Sequence, residues 1–144
     1  MAKAFSVESV IMDTGILYAL ADRKDKWHSP SAKFVKQFRG KLIVPSTVIP
    51  EVCYLINTYL GRSAEQVFIR ALADWEFAIE HFTHNDLVRC LDVLEVYVDA
   101  NIGFVDASLV AISERLNIPR ILTTDRRHFS MIRPNHCTGF ELLP

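Results

Sequence analysis

Four acids in this chain stand where apolar stretches begin or end. Asp13 follows Val10-Ile11-Met12, and Glu51 follows Ile49-Pro50. Asp106 sits between Val105 and Ala107, and Asp125 lies just beyond Ile121-Leu122-Thr123. A carboxylate set in apolar sequence is costly to bury unless it is paired or binds a metal. Carboxylates held close together raise one another's pKa values, and a divalent cation relieves the repulsion. All-oxygen donors favour a hard ion, Mg2+ or Mn2+, over zinc. Such an ion acidifies water and offsets charge on a phosphoryl oxygen, so metal-dependent phosphodiester hydrolysis suits this set. Any one of these acids alone would read equally well as a helix cap or a loop residue. Four at equivalent topological positions favour the chemical reading.

The elements around them alternate. Val7 to Met12 reads as a short buried strand ending on Asp13, and Gly15 to Ala21 as a short helix. Ser29-Pro30 predicts an N-cap and first helical residue, with Phe34, Val35 and Phe38 on the apolar face and Gly40 as the stop. Leu42 to Val44 is a second strand closed by Pro45, and Thr47 to Leu60 a long helix ending at Gly61. The apolar residues of that helix exceed one face, which marks it as a partner-binding candidate. Ser63 with Gln66 predicts a capping box for the next helix, and Phe77 to Ile79 a third strand. Thr83 with Asp86 opens another helix, carrying Leu87, Cys90, Leu91, Leu94 and Val98. Phe104 to Leu116 is a helix stopped by Asn117 and Pro119. Ile121 to Thr123 and Phe140 to Leu142 complete the strands, the latter at an edge. Alternation of this kind implies a mostly parallel sheet with helices on both faces. Ligands then bind outside the carboxyl ends of the strands, where the four acids fall.

Four motifs carry a resemblance. They are Ile11-Met12-Asp13-Thr14-Gly15, Pro45 to Val52 with Glu51, Tyr97-Val98-Asp99 with Ile102 to Ser108, and Ile121 to Phe129 with Thr123-Thr124-Asp125. Together, in this order and spacing, they resemble PIN-domain ribonucleases and, within that class, VapC-type toxins. The resemblance covers nearly the whole chain, 1–144. It implies a three-layer α/β/α fold and an Mg2+- or Mn2+-dependent endoribonuclease. It implies Asp13, Glu51, Asp106 and Asp125 as the catalytic acids, with Thr14 and Thr123 or Thr124 as supporting hydroxyls and Asp99 as a further outer acid. Asp13 and Asp106 would bind the main metal, with Glu51 and Asp125 completing the site directly or through water. Hydrolysis would leave a 5′-phosphate and a 3′-hydroxyl. A homodimer and a cognate VapB-like antitoxin are implied as well. Two departures stand out: Gly15, where many relatives carry Ser or Asn, and Pro50 directly before Glu51, tolerable only in a first helical turn.

Other readings are weaker. Asp13-Thr14-Gly15 also resembles the aspartic-protease signature, but those enzymes are all-β and this chain is rich in helix caps. A haloacid-dehalogenase-type phosphatase wants an acid where Gly15 stands, and no Gly-x-Gly-x-x-Gly or P-loop is present. His81-x-x-His84 is at most half a zinc site. Arg126, Arg127 and His128 beside Asp125 read equally as RNA-phosphate contacts or a solvated turn. A non-toxin PIN nuclease, or a catalytically silent RNA- or protein-binding module, stays open.

Composition fits this picture. The chain has 144 residues, half of them apolar, which predicts one globular domain. Cys53, Cys90 and Cys137 suggest no disulfide framework, and the apolar start is too short for a signal peptide. No run approaches the roughly 18 apolar residues of a membrane span. A cytoplasmic location is expected. The net charge of −1 hides a pattern. Residues 1–41 hold eight Lys/Arg against four Asp/Glu, residues 42–114 three against eleven, and residues 115–144 five against two. A basic rim around an acidic, metal-filled centre is the expectation, with salt-sensitive RNA binding.

Overall fold

Strand β1 (Ser9–Met12) occupies the middle of a five-stranded sheet, flanked by β2 (Lys41–Pro45) on one side and β4 (Arg120–Leu122) on the other. β3 (Ala78–Glu80) and β5 (Glu141–Leu143) form the edges, giving the order β3-β2-β1-β4-β5. The computed structural model describes residues 8–144, so Val7, the expected start of the first strand, lies outside the described residues. Every strand pair is parallel. Parallel strands need helical crossovers, and their central members are covered on both faces. That is why Val10, Ile11, Met12, Ile121 and Leu122 are fully buried in one continuous apolar run per strand.

Seven α-helices connect the strands: α1 (Thr14–Ala21), α2 (His28–Gln37), α3 (Ile49–Leu60), α4 (Arg62–Ala73), α5 (His84–Val96), α6 (Phe104–Leu116) and α7 (Arg126–Met131). α1 packs on α2 and α3, α3 on α4, and α5 on α6, completing an α/β/α fold. The core gathers Ile16 and Leu17 of α1, Val52 and Ile56 of α3, and Leu109, Val110 and Ile112 of α6 around the sheet. α6 is buried along Ala107–Ser113, which explains why its sequence is apolar over more than one stripe.

The helix signals held at most ends and failed at two. Thr83 and Asp86 do form a capping box, each side chain accepting from the other's backbone N–H at 3.1 and 2.9 Å. Asn117 closes α6 in the left-handed region at φ 56°. Ser29 is not the cap of α2, because the helix begins a residue earlier at His28. A tight turn sets that start: Asp25 accepts from the N–H groups of Trp27 and His28, and His28 Nδ1 bonds Ala19 O at 2.7 Å. Pro30 still lies in the first turn, where its missing N–H costs nothing. Ser63 is not a cap either. Gly61, at φ 96°, ends α3 and starts α4 in a single residue, which puts Ser63 inside the helix. Thr47 belongs to a 3-10 turn, Ser46–Val48, that leads into α3. Pro50 falls in the first turn of α3, so it removes no helical hydrogen bond.

Candidate active site

The strand order reverses at β1: the chain steps outward to β2 and β3, then crosses to β4 and β5 on the other side. The crevice beyond the carboxyl ends of β1 and β4 is therefore the natural ligand site. A cleft of about 510 Å³ opens there, and Asp13, Glu51, Asp106 and Asp125 all line it. Thr14, Gly15, Gly103 and Thr124 line it as well.

Each acid is delivered by a different element. Asp13 is the N-cap of α1, accepting from Thr14 N–H at 2.7 Å, and is almost fully buried. Its second oxygen accepts from the Thr123 hydroxyl at 2.8 Å. That hydroxyl in turn accepts from Asp125 N–H at 2.9 Å, so one threonine behind the cleft fixes two of the acids. Glu51 is on the first turn of α3. Asp106 is on the first turn of α6, near the Gly103 N–H. Asp125 caps α7, with both oxygens engaged by His128: the backbone N–H at 3.1 Å and Nδ1 at 2.7 Å. The 3-10 turn that leads into α3 is tied to α6 by Thr47 and Ser108, whose hydroxyl oxygens lie 2.7 Å apart.

The electrostatics are those of like charges at graded depth: Asp13 is buried, Asp106 and Asp125 half-buried, and Glu51 exposed at the rim. Burial pushes the Asp13 carboxyl up to about 6, and the charges of Asp106 and Asp125 add to the rise, while the Thr123 and Thr14 donors hold it back. Asp106 is also raised, first by burial and then by Asp125 and Glu51, against His128 and Gly103 N–H. A cation placed among these groups would relieve both. Thr14 Oγ1, also of this cleft, is buried with no hydrogen-bond partner among the described residues.

Other candidates from the sequence fall elsewhere. Thr124 lines the cleft, whereas Thr123 is fully buried behind it. Asp99 lies on an exposed 3-10 turn, Val98–Ala100, and does not line the cleft. Arg126 turns to its own fold, donating to the backbone oxygens of Leu142 and Pro144 and lying 5.8 Å from the centre of the Trp27 ring. Arg127 is exposed and has no ion pair among the described residues. His81 and His84 are exposed and belong to no cluster of metal-ligating side chains among the described residues. Gly15 has a structural reason: a Cβ there would collide with Thr124 Oγ1, so the neighbouring hydroxyl already occupies the space. Thr47, Ser108 and the clamp of His128 on Asp125 escaped the sequence reading. A β-turn-like spacing of three residues between Asp125 and His128 was the one local signal available.

The comparisons agree with this geometry. The sequence profile of the PIN domain matches residues 10–133. The chain is 30% identical over 135 residues to Ribonuclease VapC26 of Mycobacterium tuberculosis, covering 94% of this chain and 100% of that protein. Among solved structures, M. tuberculosis VapC20, described as a sarcin-ricin loop cleaving toxin, matches with a TM-score of 0.77 at 18% identity, over 83% of this chain and 92% of that one. VapBC2 from Rickettsia felis, solved bound to a DNA fragment from its promoter, matches at 0.70 and 14% identity, over 94% of this chain and 99% of that one. At such identities the two structures speak for the fold alone. The profile match and the end-to-end similarity to a VapC ribonuclease carry the assignment: the chain belongs to the PIN-domain family, with the VapC-type proteins.

Proposed function

We propose that this protein is a metal-dependent endoribonuclease, acting as the toxin of a VapBC-type toxin–antitoxin pair. The observation that carries this reading is the convergence of Asp13, Glu51, Asp106 and Asp125 on one cleft at the switch point of the sheet. The donor set fits a hard divalent cation, Mg2+ or Mn2+: carboxylates that raise one another, beside a buried hydroxyl without a partner. Asp13 and Asp106 would hold the cation, with Glu51 and Asp125 completing its shell directly or through water. When bound, it supplies Lewis-acid polarisation of the scissile phosphate and makes water acidic enough to act as nucleophile at neutral pH.

The chain's own residues supply position and access. Thr123 and the Thr14 N–H lock Asp13 into one orientation before any ligand arrives. His128 does the same for Asp125. Gly103 has open space where a side chain would begin, which keeps the cleft wall low for a bulky polynucleotide. Exposed Arg127, two residues after Asp125, would serve as a phosphate contact, whereas Arg126 serves the fold.

Large apolar side chains remain exposed, among them Tyr54 and Tyr59 of α3, Val67 of α4, and Leu87, Val88 and Leu91 at helical spacing on α5. They suit a second copy of the chain and a cognate VapB-like antitoxin. The three cysteines are free, and no described helix is long and apolar enough to cross a membrane. Both facts suit action on RNA in the cytoplasm.

The test is incubation of purified protein with total RNA in Mg2+ or Mn2+, followed by mapping of the new ends. Discrete cuts bearing 5′-phosphate and 3′-hydroxyl ends support the reading. Absence of cutting, or equal cutting by Asp106→Asn, overturns it.

A further inference from the structure

The cleft of acids also has an aromatic wall. Phe104 lines it together with Glu51 and Asp106, and 45% of the residue is exposed. Among the described residues, no other exposed large apolar side chain lines this cleft. Phe104 opens α6 ahead of the buried stretch Ala107–Ser113, so it lies outside the part of the helix that fills the core. Its ring meets Phe82 edge to face, with centroids 5.4 Å apart and planes at 75°. Phe82 is itself tied down: its N–H donates to Ser46 Oγ at 3.0 Å, and it packs against the core. The Phe104 ring is therefore backed by the fold and still partly open. Gly103 before it has no atom within 4 Å of where a Cβ would stand, which leaves free space beside Phe104. Metal-assisted hydrolysis uses oxygen donors and water, and an exposed phenyl ring adds nothing to it while costing apolar hydration. A nucleotide explains both halves of the lining. Its phosphate suits a cation held by the acids, and its base, when unpaired, stacks on aromatic side chains.

We propose that Phe104 is a base-stacking residue: its ring takes the face of an unpaired nucleobase next to the phosphate that lies at the acids. The inference rests on the ribonuclease reading above and deepens it by naming the residue that binds the nucleoside part of the substrate. Asp106 follows on the same helical turn, so ring and acids address neighbouring parts of one strand. A base inside a duplex keeps its faces in the stack and has none to offer the ring. Every base has a π-face, so this contact demands an unstacked base at the cut and leaves its identity open.

The test uses a short oligoribonucleotide spanning a cut mapped as above, with its natural bases or with an abasic ribose on one side or the other of the scissile phosphate. In the wild-type protein with Mn2+, one of the two abasic changes should lower kcat/KM on the order of tenfold to a hundredfold, the worth of one base–aromatic stack. Phe104→Leu keeps an apolar side chain against Phe82 and removes the flat ring. It should lower cleavage of the natural RNA by a similar factor and make the enzyme indifferent to the abasic change. Phe104→Tyr should restore both. A purely structural role would instead lower cleavage of both RNAs alike. No abasic penalty in the wild type, the same penalty in Phe104→Leu, or full activity of Phe104→Leu overturns this inference and leaves the ribonuclease reading intact. The abasic comparison in the wild type needs no variant to fold. If the wild type cuts no RNA, the ribonuclease reading falls, and an unstructured oligoribonucleotide carrying 2-aminopurine decides the stacking by itself. Quenching of its fluorescence by the wild type and not by Phe104→Leu supports the contact; equal fluorescence with both overturns it.

Discussion

The Thr123 hydroxyl donates to Asp13 Oδ2 at 2.8 Å across the carboxyl ends of β4 and β1, and so joins the two strands that flank the switch point. Thr123→Val keeps the shape and removes the hydroxyl. It leaves Asp13 Oδ2 and Asp125 N–H without that partner in a buried place. A loss of about 1–3 kcal/mol in urea denaturation is expected, with weaker Mn2+ binding. Thr123→Ser should restore both. Equal stability of the Val variant would show that the hydroxyl is not what orders the acids.

Asp13 makes the cation-free protein sensitive to pH in a defined direction. Its carboxyl is raised by burial from the ordinary 3.8 to about 6 in the folded chain. Between those values the folded state keeps a proton that the unfolded state has lost, so stability falls as pH rises. The loss is complete above about 6 and amounts to roughly 3 kcal/mol. Asp106, also raised, adds to it in the same direction. In EDTA, Asp13→Asn is therefore expected to be more stable than wild type at pH 7.5 and to match it near pH 3.5. Added Mn2+ should narrow the difference at pH 7.5 by stabilising only the wild type. Thermal unfolding at the two pH values measures both effects.

Gly15 and Thr124 compete for one space. A Cβ at 15 meets Thr124 Oγ1, while the helical position of residue 15 would otherwise welcome alanine. Gly15→Ala alone should be neutral to destabilising. In a Thr124→Ala background it should stabilise by about 0.5–1 kcal/mol. A double-mutant cycle read by urea denaturation gives the coupling. No coupling would mean that Thr124 simply rotates aside.

Away from the cleft, Asp86 holds the α5–α6 pair. It is buried and receives two hydrogen bonds from Arg115, at 2.9 and 3.0 Å, besides capping α5. Burial raises its pKa, but the Arg115 and Thr83 donors more than offset that and leave it lowered. Asp86→Ala is expected to cost on the order of 3 kcal/mol, because the partly exposed Arg115 keeps Glu80 as a partner. Metal affinity per folded molecule should be unchanged, which separates this acid from the four in the cleft.

The cleft acids were legible because each follows or opens a short apolar element, and parallel topology alone brings such positions to one edge. What was not legible depends on partners far apart in the chain. Arg126 reads equally as an RNA contact or part of a solvated turn until Trp27 and the Leu142 and Pro144 carbonyls are seen to hold it. Asp99 is an outer site acid by the family resemblance, yet its 3-10 turn leaves it exposed and off the cleft lining. Ser63 has the pattern of a cap, but the backbone of Gly61 joins two helices in one residue and forestalls it. α7 was missed because six residues are too few for a helical period, and its start depends on the Asp125 side chain.

The central claim is that the four acids form one cation-dependent hydrolytic site on RNA. The most direct measurement is cleavage of a labelled RNA by protein stripped with EDTA, before and after Mn2+ is added back, for wild type, Asp13→Asn and Asp99→Asn. The expected result is no cleavage in EDTA, recovery with Mn2+ in wild type and Asp99→Asn, and a loss of about 100-fold or more in Asp13→Asn. Cleavage that persists in EDTA, or full activity in Asp13→Asn, would contradict it.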